Sequence, residues 1–367
     1  MNLEEFASGM AAVCSHSLPA PGRPLSWTII ANPKAGGFTI RRRWKRHRGI
    51  LGLYAGKAGD NPLRAGSGPS ETARELDGGV LGNLGMVLTR GPGHAGKIVE
   101  ALLDEAGAGA PSRRFHLIIT AGGDGTSLEA LTAFYHAPGA LRSNFAILRL
   151  PMGTGNDGAD AWDLDAALDL LIYPSRIEND RALRLRTAAG KGPFLAFNIL
   201  SVGLDAFVTH MTNKTKGNLP GDSYKLWVDI ASLLYDRIYR VGPMEVRAFD
   251  EAGRTLSSFR EPLLLLAVGV SGHRTYGAHK HILPDGRNVC AVRQMPLLRK
   301  IALKGLFSTG GHAGKPESRL FSASRVEFQG EYPILAQMDG ETAPLGKEDY
   351  PAVIELTPPV IPVLKRL

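Results

Sequence analysis

The chain of 367 residues carries 43 Lys plus Arg against 35 Asp plus Glu, a formal charge of +8, with 44% hydrophobic and 21% charged residues. That composition excludes disorder and collagen-like repeats, and the length favours two domains, because single cores stop growing near ~250 to 300 residues. The longest apolar run, Leu263 to Val270, is far short of the ~20 residues a membrane-spanning helix needs. An acidic start at Glu4 and Glu5 is unlike a signal peptide, and two cysteines, Cys14 and Cys290, form no disulfide framework, so a cytoplasmic protein is expected.

Residues 1–24 read as a short helix or loose N-terminal arm, with Pro19, Pro21, Gly22 and Pro24 as an extended linker. Leu25 to Ala31 is an apolar, β-branched run that breaks into Asn32-Pro33-Lys34-Ala35-Gly36-Gly37, a strand ending in a glycine loop. The same punctuation recurs. Gly85 to Thr89 leads through a Gly-Pro-Gly turn to a helix over Gly96 to Ala106, and Phe115 to Ala121 leads through Gly122-Gly123-Asp124-Gly125-Thr126 to a helix ending near Tyr135. Phe145 to Leu150 leads through Pro151-Met-Gly-Thr-Gly-Asn-Asp157 to a helix over Ala161 to Ile172. Strands alternating with helices predict a Rossmann-like parallel sheet in a nucleotide-binding α/β domain over residues 25–173, with ligands at the carboxyl ends of the strands. Residues 38–84, which hold a basic segment and a Gly/Pro/Ser-rich stretch, read as an insertion on that domain.

From residue 174 the pattern changes to period two. Ala182–Thr187, Phe194–Val202, Met244–Phe249, Leu263–Val270, Val289–Gln294, Arg325–Gln329, Ile334–Met338 and Ala352–Thr357 are predicted strands of an all-β sandwich domain over residues 174–350. Helices are expected from Ser223 to about Tyr239 and over Leu297 to Phe307. Residues 351–367 form a C-terminal strand or tail that can return to the first domain.

The positive charge is concentrated. Between Glu5 and Asp60 no acidic residue occurs, while Arg23, Lys34, Arg41, Arg42, Arg43, Lys45, Arg46, Arg48 and Lys57 supply nine cations. One local cluster suits a single anionic group or a patch of membrane, whereas a nucleic-acid binder would spread its basic residues, so no nucleic-acid partner is expected. Arg41 to Arg48 is either a solvated helix face or a contact for anionic phospholipid.

A phosphate needs close backbone amides, a turn that glycine tolerates and a helix dipole behind it, and Gly122 to Thr126 offers all three. Asp124 adds a carboxylate able to position Mg²⁺, and Thr126 a donor. No Gly-Lys-Ser/Thr follows, so this is not a Walker A loop, and the two Gly-x-Gly-x-x-Gly matches, from Gly91 and from Gly153, are too cheap in a glycine-rich chain to indicate a nicotinamide cofactor.

With these motifs in this order the chain resembles the diacylglycerol kinase catalytic-domain family, which includes sphingosine, ceramide and bacterial lipid kinases. The matching residues are Asn32, Pro33 and Gly36; Thr89 and Gly93-His94-Ala95; Gly122 to Thr126 with Glu129; Pro151, Gly153, Thr154, Asn156 and Asp157; Gly203, Asp205 and Ala206; and Asp339-Gly340-Glu341. The resemblance implies an ATP- and Mg²⁺-dependent kinase acting on a lipid hydroxyl, with its active site in a cleft between the two domains. It implies that Asn32, Pro33, Lys34, Ala35, Gly36, Thr89, Gly122, Gly123, Asp124, Gly125, Thr126, Glu129, Thr154, Asn156 and Asp157 serve the nucleotide. Glu341 is implied as the catalytic base, with Asp124 beside it in the catalytic set.

One stretch departs from the family pattern. Around Pro284-Asp285-Gly286-Arg287 the spacing is shortened, so the structural Mg²⁺ site that the resemblance implies, Asp285 with carbonyls of Ile282 and Arg287, is in question. His273, His279 and His281 lack a fourth ligand at zinc spacing and read better as surface loop histidines. The expected partners are a lipid substrate and an anionic membrane surface, with a homodimer left open. An NAD kinase-like or phosphofructokinase-like enzyme shares the Gly-Gly-Asp-Gly-Thr loop but not the Pro-Met-Gly-Thr-Gly-Asn-Asp and Asp-Gly-Glu motifs, and a non-catalytic nucleotide or lipid sensor is the third reading.

Overall fold

The computed structural model describes residues 2–17, 23–58, 67–108, 114–215, 235–277 and 279–367. The predicted linker prolines Pro19 and Pro21, part of the Gly-rich stretch and most of the helix expected from Ser223 lie outside them; Tyr235–Ile238, at that helix's expected end, is helical. The chain divides into two units, residues 1–180 with 359–367, and residues 181–358.

In the first unit, the N-terminal segment is a docked helix, α1 (Leu3–Ser15). Phe6, Met10 and Val13 recur at the spacing of one helix face and are fully buried with Ala7 and Cys14, so a loose arm is excluded. Asn2 accepts from the Glu4 amide at 3.1 Å, and Glu4 and Glu5 in the first turn oppose the helix dipole. Burial pushes the Cys14 thiol far up, leaving it inert.

Strand β1 (Leu25–Ala31) is buried along its whole length. It is followed by a single turn, Gly36–Thr39, and by α2 (Arg41–Ala58), which buries Trp44, Ile50, Leu51 and Tyr54. These apolar residues make α2 the crossover helix after β1, so most of the expected insertion belongs to the core of the fold. Then come β2 (Met86–Leu88), α3 (His94–Ala108), β3 (Phe115–Gly122), α4 (Asp124–His136), β4 (Phe145–Pro151), α5 (Leu164–Ile172) and β5 (Ser175–Asp180).

The sheet runs β2, β1, β3, β4 in parallel, and the last strand of the chain, Ile361–Arg366, joins parallel to β4 and antiparallel to β5. Continuous apolar strands are what a parallel sheet covered on both faces requires. β5 was expected in the second domain, which the sequence began at residue 174; its exposed polar alternation looks like a strand of an antiparallel sheet, and it is one, but at the edge of the first sheet.

Register decides where the loops fall. Ala31 pairs with Leu88 and with Ala121, and Gly122 pairs with Pro151, so four strands end side by side. The strand order reverses between β1 and β3, and a doubly wound sheet opens its ligand crevice at such a switch point.

The second unit is mainly β, built on an eleven-stranded antiparallel sheet with a separate two-stranded hairpin, Arg274–Tyr276 against Lys280–Leu283. Its strands include β6 (Leu183–Thr187), β7 (Ile199–Gly203), β8 (Pro243–Phe249), the long β9 (Thr255–Gly269), β10 (Val289–Arg293), β11 (Arg325–Gly330), β12 (Ile334–Met338), β13 (Glu341–Leu345) and β14 (Ala352–Leu356). The N-terminal half of β9 pairs with β8 and its C-terminal half with β7 and β10, so one strand carries the sheet around a core of Val246, Leu266, Phe328 and Ile354. The segment Leu204–Thr215, α6, is helical although period two does not signal it, and α7 (Leu297–Lys304) lies where a helix was expected.

Candidate active site

In the first unit the four predicted loops meet at the switch point. Asn32 donates its backbone N–H to the Ala121 carbonyl at 3.0 Å, and its Nδ2 reaches Thr126 Oγ1 at 3.4 Å. Its Oδ1 accepts from the Lys34 amide at 3.0 Å, which turns the chain through Pro33 and Ala35 into the Gly36 turn and leaves Lys34 exposed. The Thr89 amide donates to Ala31 at 2.8 Å, and the Gly37 amide to Met152 at 2.7 Å.

The glycines make this convergence possible. A Cβ on Gly153 would stand 2.5 Å from the Gly123 Cα, and one on Gly36 would stand 3.2 Å from Thr154 Oγ1. Two loop backbones thus touch without side chains between them, with Gly123 capping α4 and Gly125 and Thr126 in its first turn. Backbone N–H groups at a helix start beside a bare glycine surface form a cradle that fits a phosphate chain.

Asp124 begins α4 and accepts from the Gly158 amide at 3.0 Å. Burial, with a contribution from the neighbouring Asp157 carboxylate, pushes its carboxyl above the ordinary range. A Cβ on Gly155 would lie 3.0 Å from Asp124 Oδ2 and 3.3 Å from Asp157 Oδ2, so both carboxylates border one glycine. That donor set suits a divalent cation accompanying a nucleotide.

Other predicted residues hold the loops. Glu129 accepts from the Gly93 amide at 2.7 Å and the Ala95 amide at 3.2 Å, so its two oxygens cap α3 and position the β2 loop. Asn156, at φ +62°, accepts from the Gly153 amide at 2.6 Å and donates to Pro151 at 3.1 Å, closing its own loop. Sequence reasoning missed Arg149 and Asp160. Their side chains, 6% and 0% exposed, form a buried ion pair at 2.6 Å, and Asp160 also accepts from the Arg149 amide at 2.7 Å, pinning the far end of the loop to β4. An arginine inside an otherwise apolar strand, Phe145 to Leu150, was the available signal.

In the second unit, Asp339-Gly340 forms the turn between β12 and β13, with φ +46° and +105°. The buried Asp339 carboxylate accepts from the amides of Phe197, Asn198 and Ile199, the Ile199 bond being 2.9 Å. Its role is to lock that turn onto β7. Glu341, next along, is exposed. Around it Asn213 donates to the Gly340 carbonyl at 2.8 Å, and Ser201, Asp205 and Gln337 form a network, with Ser201 donating to Asp205 at 2.7 Å and Gln337 to Ser201 at 3.0 Å.

The proposed structural Mg²⁺ set does not fit. Arg287 donates to the Asp285 carboxylate from its backbone at 2.9 Å and from Nη2 at 2.5 Å, and holds that carboxyl down at about 2. The Ile282 carbonyl accepts from buried His312 at 3.2 Å. Guanidinium and imidazole thus take the oxygens that a cation would need. Among the described residues no three His, Cys, Asp or Glu side chains gather into a metal group.

A parallel sheet ending in four glycine loops, with an acid at the start of one helix, makes an α/β unit whose loop backbones suit a phosphate chain. Residues 75–181 match the diacylglycerol kinase catalytic domain. Two probable lipid kinases of the YegS-like type, from Xanthomonas euvesicatoria pv. vesicatoria (strain 85-10) and Xanthomonas axonopodis pv. citri (strain 306), are 27% and 26% identical over 236 residues, 62% of this chain and 72% of each relative. Two crystal structures of Bacillus anthracis str. Sterne proteins named as diacylglycerol kinases share the fold. One has a TM-score of 0.57 at 16% identity, covering 94% of this chain and 96% of the other. The second has 0.51 at 14%, covering 94% and 97%. Over residues 75–181 the chain is thus similar to the diacylglycerol kinase catalytic domain.

Proposed function

We propose that this protein is a lipid kinase that transfers the γ-phosphate of ATP, with Mg²⁺, to a hydroxyl of diacylglycerol or a related lipid. The observation that supports this reading most directly is the backbone contact of Gly123 with Gly153 at the switch point, beside Asp124. The amides of the Gly36, Gly122 to Thr126 and Thr154 loops would hold the nucleotide's phosphates, and Asp124 with Asp157 would hold a divalent cation, which would neutralise their charge. Glu341 takes the proton from the lipid hydroxyl as its oxygen bonds to the γ-phosphorus and the bond to the departing ADP oxygen breaks. Phosphoryl transfer asks chiefly for such positioning and charge neutralisation.

No helix among the described residues is long and apolar enough to cross a membrane. In this reading the protein meets its substrate at a membrane surface, on the cytoplasmic side. Arg41, Arg42 and Lys45 on α2 are exposed and would face anionic headgroups. The test is transfer of labelled phosphate from ATP to diacylglycerol, monoacylglycerol, sphingosine and ceramide. Labelling of one or more is expected for the native chain, with loss in Glu341→Gln; ATP binding without labelling of any lipid would sink the assignment.

A further inference from the structure

The basic run on α2 is not one surface. Arg46 pairs with Asp163 at 3.7 Å and Arg48 with Glu5 at 2.5 Å, while Arg41, Arg42 and Lys45 face solvent. Arg43 does neither. It is half-buried, and its Nη1 donates to the Gly153 carbonyl at 2.8 Å, on the glycine that touches Gly123. A Cβ placed on Gly36 would stand 3.3 Å from the same nitrogen. The guanidinium therefore lies where the β1 and β4 loops meet, and no carboxylate among the described residues pairs with it.

Three features set Arg43 apart from a structural staple. A carbonyl needs one N–H, whereas a guanidinium carries five donors and a full charge that here has no acidic partner. Desolvating an unpaired cation is costly unless an anion joins it. The surroundings are already positive: His47, one turn along and packed on Gly37, has its imidazole pushed below the ordinary range by burial and by Arg46 and Arg43. An unpaired arginine at a glycine cradle is the residue type that phosphate recognition uses.

We propose that Arg43 is a phosphate-binding residue of the nucleotide site, supplying a cation from α2 at the point where the β1 and β4 glycine loops meet. The inference rests on the kinase reading above and assigns to α2 a role that none of the matched motifs contains. The nucleotide's phosphate chain, bridging the β1 and β4 loops, accepts the remaining guanidinium donors while Nη1 stays on Gly153. In this division of labour the basic run serves two purposes, Arg43 turned toward the nucleotide and Arg41, Arg42 and Lys45 toward the medium.

Calorimetric titration of the full chain with ATP, ADP and adenosine in Mg²⁺ buffer tests this, comparing native protein, Arg43→Gln and Arg41→Gln. Glutamine keeps a polar amide at the position but removes the charge, and Arg41→Gln makes the same charge change on the solvent face. Arg43→Gln is expected to weaken ATP and ADP about tenfold or more, the scale of a charged hydrogen bond, while adenosine affinity and the melting temperature stay within error. Arg41→Gln should match the native protein in its affinity for ATP, ADP and adenosine. Equal losses for both variants, or an equal loss of adenosine and ATP binding in Arg43→Gln, would overturn the assignment. Sedimentation with phosphatidylglycerol vesicles separates the other source of phosphate: if Arg43→Gln lowers vesicle binding and leaves ATP binding intact, Arg43 reads a lipid headgroup and the inference is wrong. Native protein that binds no adenine nucleotide overturns the kinase reading itself, and this inference with it.

Discussion

Replacing Asp160 by Ala removes one member of a pair whose side chains are 0% and 6% exposed. Asp160 accepts from Arg149 Nη2 at 2.6 Å, from Nε at 3.1 Å and from the backbone amide at 2.7 Å, so truncation takes three acceptor contacts from a buried guanidinium and its amide. Breaking a buried pair from one side costs about 3–5 kcal/mol. In a unit of this size that is a fall in melting temperature of about 10 °C, read by calorimetry or by the denaturant midpoint. Removing both charges with well-packed apolar residues, Arg149→Met with Asp160→Leu, should recover more than half of the loss, because the penalty comes chiefly from a buried guanidinium that has lost its ion-pair carboxylate. The loop from Met152 to Asp160 would also lose its anchor, so ATP affinity should drop in the single variant. A single variant that loses less than about 1 kcal/mol, or a double variant as unstable as the single, would refute the reasoning.

Three further outcomes are expected. His116 on β3, enclosed and held between Ser26 at 2.9 Å and Thr28 at 3.2 Å, has its pKa lowered by burial to about 4. The unfolded chain binds a proton near pH 6.5 that the native state refuses, so the stability this group contributes is intact above that value and is lost as pH falls toward 4, by up to about 3 kcal/mol; denaturant titrations of His116→Gln across that window should show a flatter pH profile. Asp339→Ala leaves the amides of Phe197, Asn198 and Ile199 without their acceptor and should destabilise the second unit by about 3–5 kcal/mol in urea unfolding, an effect absent if the turn is held otherwise. Asp124 has a raised carboxyl pKa, so its ionised form penalises the folded state above that pKa and not below the ordinary Asp value of about 3.9. Asp124→Asn should therefore raise the melting temperature at neutral pH and lose that advantage in acid, while phosphate transfer from ATP falls.

The amino-acid sequence by itself determined the elements that follow from short-range physics. Strands β1, β3 and β4 are apolar runs cut by glycine, and the loops after them read as candidate phosphate cradles because glycine and a helix start are local properties. Period two marked the second unit as all-β. Tertiary structure decided what depends on partners distant in the chain. The docking of α1, the membership of β5 and of Ile361–Arg366 in the first sheet, and the crossover role of α2 rest on burial against residues far away, which no local pattern records. The same holds within the site. Glu129 and Asn156 carry motif residues' names but act by holding loops, Asp285 gives its oxygens to Arg287, and Arg43, one of nine cations indistinguishable in sequence, becomes distinct only because the helix that bears it packs its first turn against two glycines. Charge and residue type are written along the chain, whereas which charge is left unpaired beside a cradle is settled only when the strands come into register.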